Sequence, residues 1–327
     1  IAVVLSSTPV TLVGTVTRMR QSLSKTSANQ NPDDLVIDGR DLRKRFGKVT
    51  ALDGLNLSVR RGEVHGFLGP NGAGKSTTIR LLLGELRPTN GSASVLGASP
   101  REVAIRARLG YVPADLSLWP AMTGRQTLAF FAKLRGGVET TRMSGLAERL
   151  GADLDKRVGE LSTGNRQKIG LIAAFMHRPD LLVLDEPNAG LDPLVQHEFW
   201  AMMREAADEG RTVFLSSHTL SEVERVADRV GIIRSGELIA VEQVSELRRR
   251  RMRHVELEID GDLAAAELAA VDGVHDPTVL PGRVEFTFDG DMAQLLAFVT
   301  ARVSLRDVHT TEADLEDIFL TYYQDAR

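Results

Sequence analysis

The nine residues Gly69-Pro70-Asn71-Gly72-Ala73-Gly74-Lys75-Ser76-Thr77 fit the pattern G-x-x-x-x-G-K-[ST] at every position. A strand-like run, Val64-His65-Gly66-Phe67-Leu68, leads straight into them, and a helical pattern through Ile79, Leu82 and Leu83 follows. No other stretch restricts the fold as much. Glycines let backbone N–H groups curl around a polyphosphate, and a helix starting near Lys75 turns its positive end toward it. The Lys75 ammonium is then suited to the β- and γ-phosphates, and the Ser76 hydroxyl to one Mg²⁺ position. A glycine-rich turn without a ligand has no need of strand, loop and helix in this order. The stretch reads as a nucleoside triphosphate site in an α/β chain.

About 110 residues on, the apolar run Leu181-Leu182-Val183-Leu184 ends in Asp185 and Glu186. A buried strand closing on a carboxylate sets that group beside a phosphate loop, where Asp185 can hold Mg²⁺ through water. Glu186, one residue further, is suited to orient and deprotonate an attacking water. His218 follows a third buried run, Leu215-Ser216-Ser217, and is a candidate for a γ-phosphate contact. These residues argue for hydrolysis as well as binding.

The remaining pattern suggests three regions. Residues 1 to 34 lack periodicity and read as a poorly ordered extension. Its uncharged run Ile1 to Thr17 is interrupted by Ser, Thr, Pro and Gly, and its arginines come after the apolar part, the wrong order for a secretory signal. Residues 35 to 246 carry the ATP motifs. They open with short strands punctuated by turns at Asp53-Gly54 and Arg61-Gly62, and the part at about 98–177 is largely helical, near 101–109, 124–135, 140–151 and 163–177. Thr219 with Glu222 makes a capping-box pattern ahead of a helix to Ala227. Residues 247 to 327 follow a run of arginines at 248–251 and 253. They alternate like half-exposed strands at 255–259 and 284–288, with helical patterns at 262–271, 291–303 and 312–323, as a small α+β domain would.

Composition trims the alternatives. The 327 residues contain no cysteine, which excludes disulfides, zinc–thiolate sites and thiol nucleophiles. Forty Lys and Arg against 44 Asp and Glu give a net charge of −4, which excludes a generally basic, nucleic-acid-coating chain and leaves room only for a local basic patch; no nucleic-acid partner is expected. No membrane span is evident, so this chain is not expected to form a transport pathway itself.

The order of motifs carries a resemblance. Over about residues 35 to 245 the chain resembles the nucleotide-binding subunit of ATP-binding cassette (ABC) transporters. Leu161-Ser162-Thr163-Gly164-Asn165-Arg166-Gln167 is similar to the family's signature loop, L-S-G-G-Q, with Thr163 and Asn165 in place of Gly and Gln. Asn188-Ala189-Gly190-Leu191-Asp192 resembles the D-loop, Ser217-His218 the switch region, and Phe46 sits where the family stacks an aromatic on adenine. The resemblance implies an α/β ATPase core with antiparallel and helical subdomains. It also implies ATP and Mg²⁺ as cofactors, and a second copy of the chain in an ATP-sandwich dimer. Each site would then join the phosphate loop of one copy to the signature, Ser162 to Asn165, of the other. From the residues alone, Ser162 to Asn165 would open a helix whose N–H dipole favours a γ-phosphate.

One departure matters. In Tyr111-Val112-Pro113-Ala114-Asp115 the family's Gln after Pro is replaced by Ala114. Either Asp115 substitutes or water completes the metal shell. In the tail, Leu315-Glu316-Asp317-Ile318-Phe319-Leu320 resembles the last helix of ABC-2-type exporter subunits for drug and antibiotic efflux, and Leu118-Trp119-Pro120 points to the same branch. The resemblance therefore implies a peripheral subunit at the cytoplasmic face of the cell membrane, powering a separate polytopic permease. Competing readings are an importer subunit, a soluble ABC ATPase acting on ribosomes or DNA, and a regulatory subunit that binds ATP but barely hydrolyses it. Translation-type members carry two cassettes and repair-type members a long coiled-coil insertion, and neither is visible here.

Overall fold

The computed structural model describes residues 34–249 and 253–312. The extension at 1–33, the middle of the arginine run and the tail helix with Leu315 to Leu320 lie outside the described residues.

Six strands form the central sheet, in the order β5-β6-β7-β3-β8-β9. They are β3 (Val64–Leu68), β5 (Leu109–Val112), β6 (Leu181–Asp185), β7 (Thr212–Ser217), β8 (Arg229–Arg234) and β9 (Glu237–Gln243). All pairings are parallel except the β8–β9 hairpin. Every residue of β3, β6 and β7 is buried, as strands covered on both faces must be. Alternate residues divide between two cores. Leu182, Leu184, Val213, Leu215, Val64 and Leu68 join one cluster, with the helices α3 (Gly124–Leu134), α4 (Thr140–Leu150), α5 (Thr163–Phe175), α6 (Pro193–Asp208) and α7 (Leu220–Val226). Leu181, Val183, Phe214 and Phe67 face the other, beside α1 (Lys75–Leu82) and the second sheet. Gly66 lets α7 lie close, since a Cβ there would come within 2.1 Å of Val223 Cγ1.

The second sheet is antiparallel, β2-β1-β4, from β1 (Leu35–Phe46), β2 (Val49–Arg60) and β4 (Asn90–Val95). The turn in this hairpin lies at Gly47-Lys48, between Phe46 and Val49, and not at Asp53-Gly54. Gly54, at φ +81°, instead makes a register shift within β2, one reason a glycine after Asp imitates a turn signal. Arg61-Gly62 does turn the chain, but from one sheet to another, because β2 and β3 do not pair.

Three further expectations need correction. Residues 101–109 are helical only in α2 (Val103–Arg106), and the four-residue β5 that follows was not read from the sequence. Four residues are too few to declare a period. Gly110 within them is required because a Cβ would lie 2.3 Å from Ala174 O. The capping box at α7 is not made: Thr219 caps with no side-chain bond, and Glu222 Oε2 instead accepts from Ser217 Oγ at 2.6 Å. The helix placed at 262–271 is confined to α9 (Ala265–Leu268).

After α8 (Val244–Arg249) comes a third, antiparallel sheet, β11-β12-β10-β13. Its strands are β10 (Arg253–Asp260), β11 (Val274–Leu280), β12 (Arg283–Phe288) and β13 (Ser304–Glu312). One face packs Val255, Leu257, Val284 and Phe286 against Leu268 of α9 and Leu295 and Val299 of α10 (Met292–Thr300), a core separate from the other two. The strands at 255–259 and 284–288 were legible by alternation; β11 and β13 were not.

Candidate active site

The loop 69–74 connects β3 to α1, and its glycines are spatial requirements. A Cβ at Gly69 would lie 2.4 Å from Ile233 O, and one at Gly74, where φ is +113°, 2.8 Å from Ala51 O. Gly72 also takes a positive φ, +81°. Such backbone favours glycine. Pro70, Asn71 and Ser76 are exposed, Ala73 is buried, and Thr77 is half-buried. Lys75 is 5% exposed at the start of α1. Its Nζ donates to Gly69 O at 2.7 Å and Pro70 O at 3.3 Å, so the ammonium is folded back under the loop.

Sheet order brings the acids to the same edge. Leu68 pairs with Ser217 across β3–β7, and Asp185 pairs with Ser216 across β6–β7, so three parallel strands end together. Asp185, 3% exposed, accepts from Ser216 Oγ at 2.5 Å. Glu186 takes a left-handed backbone, φ +47°, and its N–H donates to Ser216 O and Ser216 Oγ. That turn aims its carboxylate at two partners: Lys75 Nζ lies 3.1 Å from Oε1 and His218 Nδ1 3.2 Å from Oε2. Lys75, Glu186 and His218, separated by more than a hundred positions at the widest, therefore form one chain of contacts. Tyr111 on β5 belongs to the same neighbourhood. Burial, and next the Asp185 carboxylate, push its phenol up to about 12.

Ser162 is the N-cap of α5, its hydroxyl accepting from Asn165 N at 3.2 Å, as a helix opening at this position requires. Asn165 Oδ1 accepts from Asp153 N, and Thr163 Oγ1 accepts from Arg166 Nη2. Among the described residues, Ser162 to Asn165 make no hydrogen bond or ion pair to residues 69–77. They touch the segment after Glu186 instead. A Cβ at Gly164 would lie 2.4 Å from Gly190 O, and Gln167 Nε2 donates to Pro187 O at 2.8 Å. Asp192 caps α6 through Val195 N at 3.0 Å. Phe46, at the hairpin tip, is 47% exposed with Lys44 Nζ 5.0 Å from its ring centre. Ala114 and Asp115 are both exposed in the loop after β5.

A strand-loop-helix turn of the phosphate-loop pattern, an acid pair at the end of β6, one strand removed across β7, and a capped L-S-x-G loop point to one class, and similarity agrees. The ABC transporter family model matches residues 52–189. The bacitracin transport ATP-binding protein BcrA of Enterococcus faecalis is 33% identical over 294 residues, covering 88% of this chain and 96% of that protein. The chain belongs to the ABC transporter ATP-binding family. The Nod factor export ATP-binding protein I of Burkholderia orbicola is 36% identical across 87% of this chain and 95% of its own. Among solved structures, one described as the ATP binding subunit of an ABC transporter superposes with a TM-score of 0.60 at 30% identity, over 66% of this chain and 92% of that one. The chain is thus an ABC ATPase whose fold is the cassette fold. Among the described residues no helix is long and apolar enough to cross a membrane.

Two supporting contacts were not legible in the sequence, although both residues lie in motifs quoted above. Ser216 ties Asp185 to the turn at Glu186, and Gln167 ties α5 to Pro187. The only sequence signal for Ser216 is a hydroxyl at the C-terminal end of an otherwise apolar strand.

Proposed function

We propose that this ABC ATPase hydrolyses ATP to drive export through a separate membrane permease, acting as a pair of copies at the cytoplasmic face of the cell membrane. The observation that carries this is the chain-long similarity to the bacitracin transport protein, which runs far beyond the cassette match at 52–189. A drug or antibiotic is the cargo class that this relative suggests.

ATP phosphates occupy the loop 69–74, and Lys75 exchanges its contact with Glu186 for phosphate oxygens. Released from Lys75, Glu186 takes a proton from water as the water oxygen forms a bond to the γ-phosphorus. The bond from that phosphorus to the β–γ bridging oxygen breaks, and ADP and phosphate leave. His218, 3.2 Å from Glu186 Oε2, orients the carboxylate and reaches the γ-phosphate. Phe46 stacks on adenine. The second copy contributes Ser162, Thr163, Gly164 and Asn165 to the γ-phosphate, and Asp192 belongs to the segment lying between the copies.

The oxygen donors fit Mg²⁺. Ser76 offers a hydroxyl in the first turn of α1, and Asp185, with Oδ1 taken by Ser216, keeps Oδ2. One hydroxyl and one carboxylate, completed by phosphate oxygens and water, suit an ion of this kind. An ion held by Ser76 and Asp185 would supply positive charge to the phosphates. Ala114 has no side-chain ligand atom, so the place of the family's Gln is left to Asp115 or to water.

A tagged chain purified from its native membranes in mild detergent should bring down a polytopic membrane protein in fixed ratio, with ATPase activity rising on association. Recovery of ribosomes, DNA or soluble protein alone would leave the nucleotide site standing and overturn the export reading.

A further inference from the structure

Away from the nucleotide site, α4, the end of α5 and the C-terminal half of α6 enclose a cleft of about 300 Å³. Leu146, Phe175 and Met202, only 8%, 2% and 2% exposed, show their edges as its apolar wall, and Arg142, Arg149 and Arg211 line it together with Glu205 and Glu209. The charges are unevenly matched. Arg149 is saturated: its Nη1 and Nη2 each bond Glu205 at 2.8 Å, and it also pairs with Glu198. Glu209 Oε2 is shared by Arg178 at 3.0 Å and Arg211 at 2.7 Å. Arg142 is left over. It is partly buried, and its guanidinium makes no hydrogen bond or ion pair among the described residues; its Nε and Arg211 Nη1 are buried without a partner. Burial first, and then the positive charges of Arg178 and Arg211, lower the pKa of Arg142, which Glu209 and Glu139 only partly offset. A guanidinium keeps its proton even so, and the shortfall stands as an unmet demand for negative charge.

We propose that this cleft binds a small organic carboxylate, its acid head paired with Arg142 and its apolar body against the open edges of Leu146, Phe175 and Met202. The planar guanidinium fork matches a carboxylate. Inorganic phosphate would satisfy the fork but leave the apolar wall wet. A neutral apolar molecule would cover the wall and leave Arg142 unpaired, which costs more than the contact returns. The volume is at the lower end of ligand sites, which restricts the occupant to a small molecule. None of the cleft residues belongs to the phosphate loop or the acidic strand end, so the inference does not depend on the proposed export role.

The test is a fluorine NMR titration of the full chain with 4-fluorobenzoate, in saturating ADP so that the phosphate loop is taken. Saturable binding is expected, with 4-fluorobenzyl alcohol failing to bind. Arg142→Gln should weaken 4-fluorobenzoate about tenfold or more, the loss of a charge-assisted pair. Gly145 lines the same cleft and a Cβ there would meet no atom within 4 Å, so Gly145→Leu should block binding while leaving the packing intact. Unchanged ADP affinity in both variants establishes that they are folded. Absence of saturation up to the solubility limit, equal affinity in Arg142→Gln, or equal binding of the alcohol would each overturn the proposal.

Discussion

Glu186 is held by two partners of different kinds, the Lys75 ammonium and the His218 ring, and this arrangement decides what its replacement should do. Glu186→Gln keeps the size and the acceptor oxygen but cannot take a proton. Nucleotide affinity should persist while turnover falls roughly 10²–10⁴-fold, the range for losing a general base. Lys75→Ala should lose ATP binding itself. Equilibrium binding of a fluorescent ATP analogue beside steady-state phosphate release separates the two, and full turnover in Glu186→Gln would remove it from the base role. Ser216→Ala makes a different expectation. It strips the donor from Asp185 Oδ1 and an acceptor from Glu186 N, so turnover should drop with nucleotide affinity retained, and stability should fall by about 1–3 kcal/mol. The loop and the acids were legible because polyphosphate chemistry demands those residue types at fixed spacing. Ser216 was not, since a serine closing a buried strand looks the same whether it supports a carboxylate or merely caps a turn.

At the scale of elements, long buried strands and helices announced themselves and short or interrupted ones did not. β6 and β7 are apolar runs with few alternative readings, whereas β5 carries only four residues and depends on Gly110 to pass beneath Ala174. Asp53-Gly54 shows the converse: turn chemistry used for a shift inside a strand. The join between β5 and the helices has its own titration. His177 Nε2 lies 2.7 Å from Arg135 Nη1, just past α3, and 3.0 Å from Leu109 O at the start of β5. Burial first, then the Arg135 charge, lower its pKa from 6.5 to about 4. The unfolded chain therefore binds more protons than the folded one between those values. Stability is fully present above about pH 6.5 and declines as pH falls toward 4, with no further loss from this group below that. Urea midpoints of the wild type should drop between pH 7 and pH 5 more steeply than those of His177→Gln. Parallel curves would show that His177 does not contribute.

The described residues comprise a mostly parallel sheet with a core on each face, one of them shared with the antiparallel β2-β1-β4 sheet, and a later antiparallel sheet with a core of its own. Alternating hydrophobicity near 255–259 and 284–288 made that later sheet visible, but its pairing order could not be read, because β11 and β13 lack clean alternation. The pairing of two copies proposed above makes a measurement possible on this chain. Glu186→Gln, which holds ATP without spending it, should move from monomer to dimer in light scattering when ATP and Mg²⁺ are added. A chain that remains monomeric under those conditions contradicts the paired site.

The contact of Gly164 with Gly190, backed by the bond from Gln167 to Pro187, joins two segments with separate duties in such a pair. One follows directly from the copy's own acid; the other is what that copy offers its neighbour. Backbone meets backbone here, with only Thr163 beside it, since a Cβ at Gly164 would lie 2.4 Å from Gly190 O and one at Gly190 3.3 Å from Thr163 Cγ2, so the two segments are set like the jaws of a coupling bolted face to face. In the pair proposed above, nucleotide lost on one side would then be felt as a changed grip on the other.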